Sequence, residues 1–501
     1  MPAVSRYPTQ ANANELRAVE DAFSHERSER DRVIDAQWDY YNGNHRQPLK
    51  KDNTGTNDNL MINLISLLID KGVSELLGVD DRGNVQGLKI DIVNQPGERG
   101  FMETAATFLA GLAGQQEEEI DPAQAFIDGT YEANRMNALL LNALTNAAVT
   151  GHGFLKLLPQ GVEHPQTGEI VPRLVALNPK NCTVFWAEDD IERVLWYRVE
   201  YKRSRQDIVR VVNEDGTDAG YWQVIDMRRE TDYGNWDTVS VTDWPFGWAP
   251  IVDWQNQPNP NGYYGKDDIG GTGRLNDGLN FLASNVQRIL KHHAHPKTIG
   301  TGIKVEELQA SAVGGLWTVM NENAKVYNLE MQSDLASSLN FMGVLRRAIF
   351  DGARELDPSS VQDKLGDLTN FGLRVLFNDN LAKSGVKRLS ASYALSKLTR
   401  NLLELGGYDR AVKLNVTWPD PLPVDPVQEA QHLTMMSQMG LSQETALERA
   451  GYDPEQERQR RALTSMEQQR TQSAGRQAEI ADRLRAGGGG VLVAPEGGPL
   501  E

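Results

Sequence analysis

Along the first 42 residues, apolar side chains recur three and four positions apart among many charges. Leu16, Val19, Phe23, Val33, Ile34, Trp38 and Tyr41 keep that spacing, which predicts an amphipathic helix over 13–42. Asn42-Gly43-Asn44 stops it. A second amphipathic helix is expected over 57–77, closed by Gly78, and a strand over 88–93. Asp121-Pro122, a cap followed by a first-turn proline, opens one long helix running to about Thr150. At Gly151 the texture changes. Val, Tyr, Trp and Phe dominate 154–158, 193–201, 208–212 and 220–227, with turns such as Glu214-Asp215-Gly216 between them, so 154–254 reads as a β-rich layer. The stretch 256–265 is a loop by composition.

Helical spacing then returns. Leu275, Leu279, Leu282, Val286 and Ile289 step by four, three, four and three, a seam suited to close packing against other helices. This helix must end before Pro296. A small glycine-bearing module over 297–331 has β-favouring runs at 316–320 and 325–329. Leu335, Leu339, Met342, Leu345 and Ile349 mark the returning helix, which stops near Leu356-Asp357-Pro358. After a loop, 370–405 predicts a third helix of about 54 Å at 1.5 Å per residue, with Gly385 placed to permit a bend. A strand follows over 413–418, then Pro419, Pro421, Pro423 and Pro426, helices at about 427–439 and 443–450, and a Gln-, Arg- and Glu-rich tail expected to be disordered over 471–501.

Composition narrows the function. The chain has 501 residues, 51 Lys+Arg, 69 Asp+Glu and one cysteine. That length predicts several domains with real cores. A single Cys182 excludes a disulfide framework or a cysteine zinc site and fits a reducing cytoplasm. A net charge of −18 excludes a broadly basic nucleic-acid binder. The longest apolar stretch, 60–69, falls short of the roughly 20 residues of a membrane span. No signal peptide is expected from Met1-Pro-Ala-Val-Ser-Arg-Tyr-Pro8.

No catalytic constellation stands out. Gly262-Tyr-Tyr-Gly265-Lys266-Asp267 has two residues between its glycines and an Asp after the Lys, where a phosphate-binding loop needs four and a Ser or Thr. His292, His293 and His295 cannot all converge from one regular helix, so they read as a helix-end feature, and no metal or other cofactor is expected. Cys182 reads as a small buried hydrophobe. The chain is expected to assemble, not to catalyse. The alternatives are a scaffold or adaptor of another large assembly, without DNA passage, and an enzyme with an unrecognised site.

The order of several segments resembles the portal proteins of tailed bacteriophages, in particular the siphophage-type family. The segments are Tyr40-Tyr41-Asn-Gly-Asn-His45, Asn63-Leu-Ile-Ser-Leu-Leu-Ile-Asp70, Ala147-Ala-Val-Thr-Gly151-His-Gly-Phe154, Pro250-Ile-Val-Asp-Trp-Gln-Asn256 and Tyr264-Gly265-Lys-Asp-Asp268. They continue with Leu275-Asn-Asp277-Gly-Leu-Asn280, His293-Ala-His-Pro296, Val416-Thr-Trp-Pro-Asp420-Pro-Leu-Pro423-Val-Asp425, Met439-Gly-Leu-Ser442-Gln-Glu444 and Gly451-Tyr-Asp453. No single fragment is specific; their order and spacing across about 30–465 is.

The resemblance implies an α+β, predominantly helical portal-type fold with wing, stem, clip and crown, assembled as a ring of usually twelve copies at one capsid vertex. It implies a wing at 1–266 and 370–425, stem helices at 267–293 and 332–356, a clip at 294–331, a tunnel loop at 357–369 and a crown at 426–470. The partners implied are the major capsid protein, the large terminase subunit, a head–tail adaptor and double-stranded DNA read without sequence specificity, in a virion made in the host cytoplasm. The loop residues expected near DNA are Asp357, Ser359, Ser360, Gln362, Asp363, Lys364 and Asp367. The clip residues expected to bind partners are Gly314, Gly315, Leu316, Trp317 and Val319. Arg346, Arg347, Arg354, Lys383, Lys387 and Arg388 are candidates to face DNA or a neighbouring subunit; for the basic run within 370–405, a solvated helix face or pairing with an acidic neighbouring subunit is favoured over contact with phosphate. Charge refines the picture: 267–405 holds 16 Lys+Arg and 15 Asp+Glu, whereas 1–266 holds 25 and 40. A nearly neutral channel segment fits DNA that passes without sticking, because each phosphate contact must be broken again.

Overall fold

The computed structural model describes residues 13–46, 49, 59–78, 88–93, 121–165, 167–187, 189–201, 205–212, 221–230, 236–294, 298–301, 323, 325–328, 335–357, 359, 370–419 and 434–435. The chain divides into two units, Met1–Leu422 and Pro423–Glu501. The first carries the sheets, the hairpin and the core. The expected crown and tail lie almost wholly outside the described residues.

Helix α1 (Ala13–Tyr41) and α2 (Leu64–Leu77) are followed by strand β1 (Lys89–Val93), then α3 (Pro122–Ala133) and α4 (Met136–Thr150). The single helix expected over 121–150 is therefore two. Asp121 caps the first by accepting from Ala123 N–H. The break falls at Asn134 and Arg135, with Arg135 in the left-handed region at φ 51°. Asn134 is taken from helical work by a neighbouring strand: its Oδ1 accepts from Leu174 N–H at 2.7 Å and its Nδ2 donates to Pro172 O at 2.8 Å.

The β-rich layer is two antiparallel sheets. Strands β2 (His152–Glu163), β3 (Ile170–Ala176) and β9 (Ile251–Gln255) form one in the order β3-β2-β9. Strands β4 (Cys182–Trp186), β5 (Val194–Glu200), β6 (Arg205–Val212), β7 (Tyr221–Arg228) and β8 (Asp237–Trp244) form a meander in sequence order. Polar bonds tie the sheets together: Lys156 Nζ lies 2.6 Å from Asp207 on β6, and Tyr197 on β5 donates to Asp253 on β9 at 2.8 Å. Sheet edges are capped by side chains of the same chain. Gln124 on α3 accepts from Ile92 N–H and donates to Ile90 O along β1, as Asn134 does along β3. Tyr264 accepts from Val184 N–H on β4, and Arg30 on α1 donates to Cys182 O while stacking over the Tyr264 ring. Such caps satisfy donors and acceptors that an open edge would offer to another strand.

The main core lies between α2, α4, β2, β9 and a long helix from the C-terminal part. Ile65, Ile69, Leu144, Ala147, Leu155, Val252, Leu398 and Leu402 belong to it, each almost fully buried. That helix, α8 (Asn378–Leu405), follows a short α7 (Asn370–Leu376). The expected 36-residue helix therefore turns at Phe377, whose ring lies beside the Lys71 ammonium. Gly385 sits inside unbroken helix, and a Cβ there would meet open space. Strand β12 (Lys413–Thr417) pairs with β1.

Between these parts stands a hairpin. Helix α5 (Thr272–Ala294) leads to β10 (Thr298–Thr301), β11 (Lys325–Asn328) and the returning α6 (Leu335–Ala353), with β10 and β11 paired antiparallel. The helices meet near their root, where Leu279, Ile349, Phe350 and Ala353 are buried with Leu64 and Leu68 of α2. Leu339, expected on the seam, is 56% exposed.

The apolar periodicity of α5 runs beside a polar one. Asn276, Asn280 and Ser284, four apart and fully buried, face the extended segment 59–64. Ser284 accepts from Leu60 N–H at 2.9 Å, Asn280 from Ile62 N–H at 2.8 Å and Asn276 from Leu64 N–H at 3.1 Å. Asn276 also donates to Ile62 O, while the Ser284 hydroxyl donates to Asn280 O at 2.7 Å, with Leu60 O 3.3 Å away. Alternate residues of an extended chain advance about 6.6–6.8 Å and four helical residues about 6 Å, so a helix face can serve as a strand's partner. This is why α2 starts at Leu64, not near 57: the preceding N–H groups are already engaged, and Asn63 caps the helix by accepting from Ile65 and Ser66.

Gly151 joins α4 to β2 at φ +88°, with the Gly265 carbonyl pressed against the place a Cβ would occupy. Gly151→Ala should lower stability by about 1–3 kcal/mol, the range for a residue forced into sparsely populated backbone space. Gly247→Ala, where a Cβ meets nothing within 4 Å, should be nearly neutral. Urea unfolding of both variants checks the contrast.

Candidate functional site: the helical hairpin and its charged root

The hairpin projects from a root where four elements bring opposite charges together. Asp268 precedes α5, Glu355 follows α6, Lys71 and Glu75 lie on α2, and Asn380, Lys383 and Lys387 lie on α8. Lys387 hydrogen-bonds Asp268 directly, and Lys383 lies 3.8 Å from the same carboxylate and 3.7 Å from Glu355. Lys71 reaches Glu355 at 3.2 Å and Glu75 at 3.7 Å. Asn380 donates to Glu355 at 2.6 Å, and Lys383 to Ala353 O at 2.9 Å. Gln257 and Asn256 both donate to Asp268 Oδ1. Three carboxylates thus meet three ammonium groups.

Burial alone would push the Asp268 carboxyl up. Lys387, Lys383 and the hydrogen bonds outweigh it and hold the group below the usual carboxylate range. Burial lowers the Lys387 ammonium, with Asp268 opposing. Burial, then the neighbouring Glu355 charge, raises Glu75. The knot is therefore held ionised at Asp268 by pairing, in a place where solvent cannot do so.

Beyond the root, the exit from α6 is clamped. Arg346 grips Asp357 with two bonds, 2.9 Å from Nε and 3.0 Å from a terminal nitrogen, and Asp357 accepts from Ser359 N–H. Hydrogen bonding by Arg346 lowers the Asp357 carboxyl to about 2. Arg354 ends the helix at φ 55° with an exposed side chain, and Arg347 is exposed on the outer face.

The structure thus separates the six basic residues. Lys383 and Lys387 do not face DNA or a neighbour as expected: both are buried in this chain's own root. Their carboxylate partners lie up to 119 positions away in sequence, so helix spacing alone made them look like surface charge. Arg388 is likewise engaged inside the chain, donating to Glu75 O, Leu76 O and Pro419 O. Of the loop residues, Asp357 and Ser359 are described. Ser360, Gln362, Asp363, Lys364 and Asp367 lie outside the described residues, as do Gly314, Gly315, Leu316, Trp317 and Val319. His292 and His293 occupy the last turn of α5, but their side chains and His295 lie outside the described residues. Cys182 is buried, and burial pushes its thiol up to about 12, the state of an unreactive cysteine. Asp268 and Glu355 do not stand out in the sequence. The signal for the α5 ladder is the four-residue spacing of Asn276, Asn280 and Ser284 beside the apolar seam.

A long-helix hairpin carrying a small β ladder, rooted in a helical and β-rich body, goes with a family model that matches residues 21–472 and is described as phage portal protein, SPP1 Gp6-like. The protein is of the tailed-phage portal class, whose members are structural components of the virion. It belongs to the SPP1 Gp6-like phage portal protein family. No curated protein matches the sequence. Among solved structures, "Neck of native GTA particle computed with C12 symmetry" is similar at 14% identity and TM-score 0.40, covering 71% of this chain and 95% of that one. "Neck of empty GTA particle computed with C6 symmetry" is similar at 14% identity and TM-score 0.45, covering 78% and 90%. Among the described residues, no helix is long and apolar enough to cross a membrane and no group of side chains could hold a metal ion.

Two measurements test the root. Asp268→Asn alone leaves the buried Lys387 without its carboxylate and should cost about 3–5 kcal/mol; Lys387→Met alone leaves the buried Asp268 with Lys383, 3.8 Å away, as its remaining cation and should cost less. Asp268→Asn with Lys387→Met should cost clearly less than the two single changes added together, read by urea unfolding as a double-mutant cycle. The Arg346–Asp357 clamp has its own pH window. The folded Asp357 carboxyl is depressed, so its stabilisation is complete above about pH 4, the unfolded carboxylate range. It is lost as pH falls toward about 2. The stability gap between wild type and Asp357→Asn should therefore shrink through that window.

Proposed function

We propose that this chain forms the ring-shaped DNA conduit at one vertex of a phage capsid, as a ring of twelve copies. It docks the large terminase subunit during packaging and the head–tail adaptor afterwards, and it passes double-stranded DNA again at ejection. The observation that carries this reading is membership of the portal family across nearly the whole chain.

In this reading 1–266 and 370–425 are the wing, which meets the major capsid protein. The stem is 267–293 with 332–356, the clip 294–331 with Gly314 to Val319 contacting partners, the tunnel loop 357–369, and the crown 426–470. The near balance of charge in 267–405, 16 basic against 15 acidic residues, supports a passage that does not retain DNA. Lys383 and Lys387 are buried with Asp268 and Glu355 of the same segment, so the balance of the remaining charge is unchanged while two lysines are unavailable to phosphate. Asp357, gripped by Arg346, anchors the loop's first residue, leaving the rest of the loop to border DNA by shape and sparse polar contact. The chain performs no ATP hydrolysis; the motor that docks on it does.

Native mass measurement with negative-stain imaging tests this directly. A twelve-fold ring with a central hole of about 20 Å, the duplex scale, is expected. A monomer, or a closed assembly without a hole, would favour an adaptor or scaffold that passes no DNA.

A further inference from the structure

Over its first half, α8 is turned inside out. Lys383 and Lys387 point into the chain, while Val386, Leu389 and Tyr393 point to solvent, the last two each 76% exposed. Residues 379, 382, 386, 389 and 393 step by three and four, so they form one stripe about 21 Å long. Asp379, Ala382, Val386, Leu389 and Tyr393 are all exposed, and Asp379 is the only formal charge on the stripe. A second outward apolar patch lies on α6. Phe341 and Val344 are each 53% exposed, and three residues further on Arg347 is exposed as well.

We propose that the α8 stripe packs against the outer face of α6 in a second copy of this chain, with Asp379 meeting Arg347 of that copy. The inference rests on the ring reading above and names the surface that closes it. Three observations converge. An exposed apolar stripe on a helix whose Lys383 and Lys387 are buried on another side is a surface awaiting cover. DNA is a poor occupant, because the basic residues of this stretch of helix are already bound to Asp268, Glu355 and backbone carbonyls. The two patches differ from each other, and each pairs apolar side chains with one charge of opposite sign. That is the arrangement a head-to-tail contact requires, and such a contact builds a ring when its rotation closes and an open filament when it does not.

The test uses the full-length protein and native mass measurement over a dilution series. Leu389→Asp with Tyr393→Asp should raise the concentration needed for rings at least tenfold. The urea midpoint of the dissociated subunit should not change, because both side chains are exposed. Arg347→Asp should weaken rings, and adding Asp379→Arg should restore them. Leu389→Cys supplies a readout that does not depend on disrupting the assembly. Its thiol should react with a maleimide in dissociated subunits and be protected in rings, while the native Cys182 stays buried. Rings that form normally from the double Asp variant, or a thiol at position 389 that still reacts within intact rings, would overturn the inference and leave the ring reading standing. Failure of the charge exchange to restore assembly would overturn the pairing with α6. A wild-type chain that stays monomeric at every concentration would remove the ring reading itself.

Discussion

The fold turns on the removal of Asp268 from water. A carboxylate buried that deeply is tolerable only if cations and donors surround it, and this one draws them from far along the chain: Lys383 and Lys387 on α8, Gln257 and Asn256 from the loop before it. Satisfying it brings the root of the hairpin against the long helix. Glu355 then occupies the other foot of the hairpin, and its charge draws in Lys71 from α2. The apolar contacts around Ile349, Phe350 and Leu68 join the same helices at the hairpin's root. Geometry elsewhere is set by apolar packing, as in most domains; here the polar constraint is the stricter one, since a mismatch leaves a bare charge where a packing defect leaves only a void.

Much of this architecture is legible in the sequence where a short-range pattern carries it. The hairpin helices follow from Leu279, Val286, Met342 and Ile349 at helical spacing, and the β-layer from runs of Val, Tyr and Trp. The order of segments from Tyr40 to Asp453 points to the portal family, which the match over 21–472 establishes. Long-range pairing is where sequence reading fails. Nothing near Lys383 or Lys387 announces Asp268, so two structural ammonium groups look like surface charge. Nothing near Leu60 announces Asn280, so an extended segment looks like the first turn of a helix. Asn134 likewise breaks an expected helix because its amide serves a strand that begins only at Ile170. Each error has one cause: a polar group whose partner is distant in sequence and close in space.

The same distinction orders the chain's charge. A net of −18 at first argues against DNA nearby. Counting by segment moves the acidity outside 267–405, and the structure then withdraws two of that segment's lysines into its interior. What remains on the outside of the first half of α8 is largely apolar. A chain built this way spends its positive charge on its own architecture, and offers its neighbours oil and a few complementary charges.

The ladder from Asn276, Asn280 and Ser284 to residues 60–64 has a mechanical consequence. Its rungs lie side by side along the helix, each joining the same two pieces of chain. A force pulling α5 along its axis loads every rung in parallel, so none yields before the others. A force prying the segment sideways loads them in series, and they open singly from one end. The hairpin is thus anisotropic: stiff to thrust along its length, compliant to peeling across it.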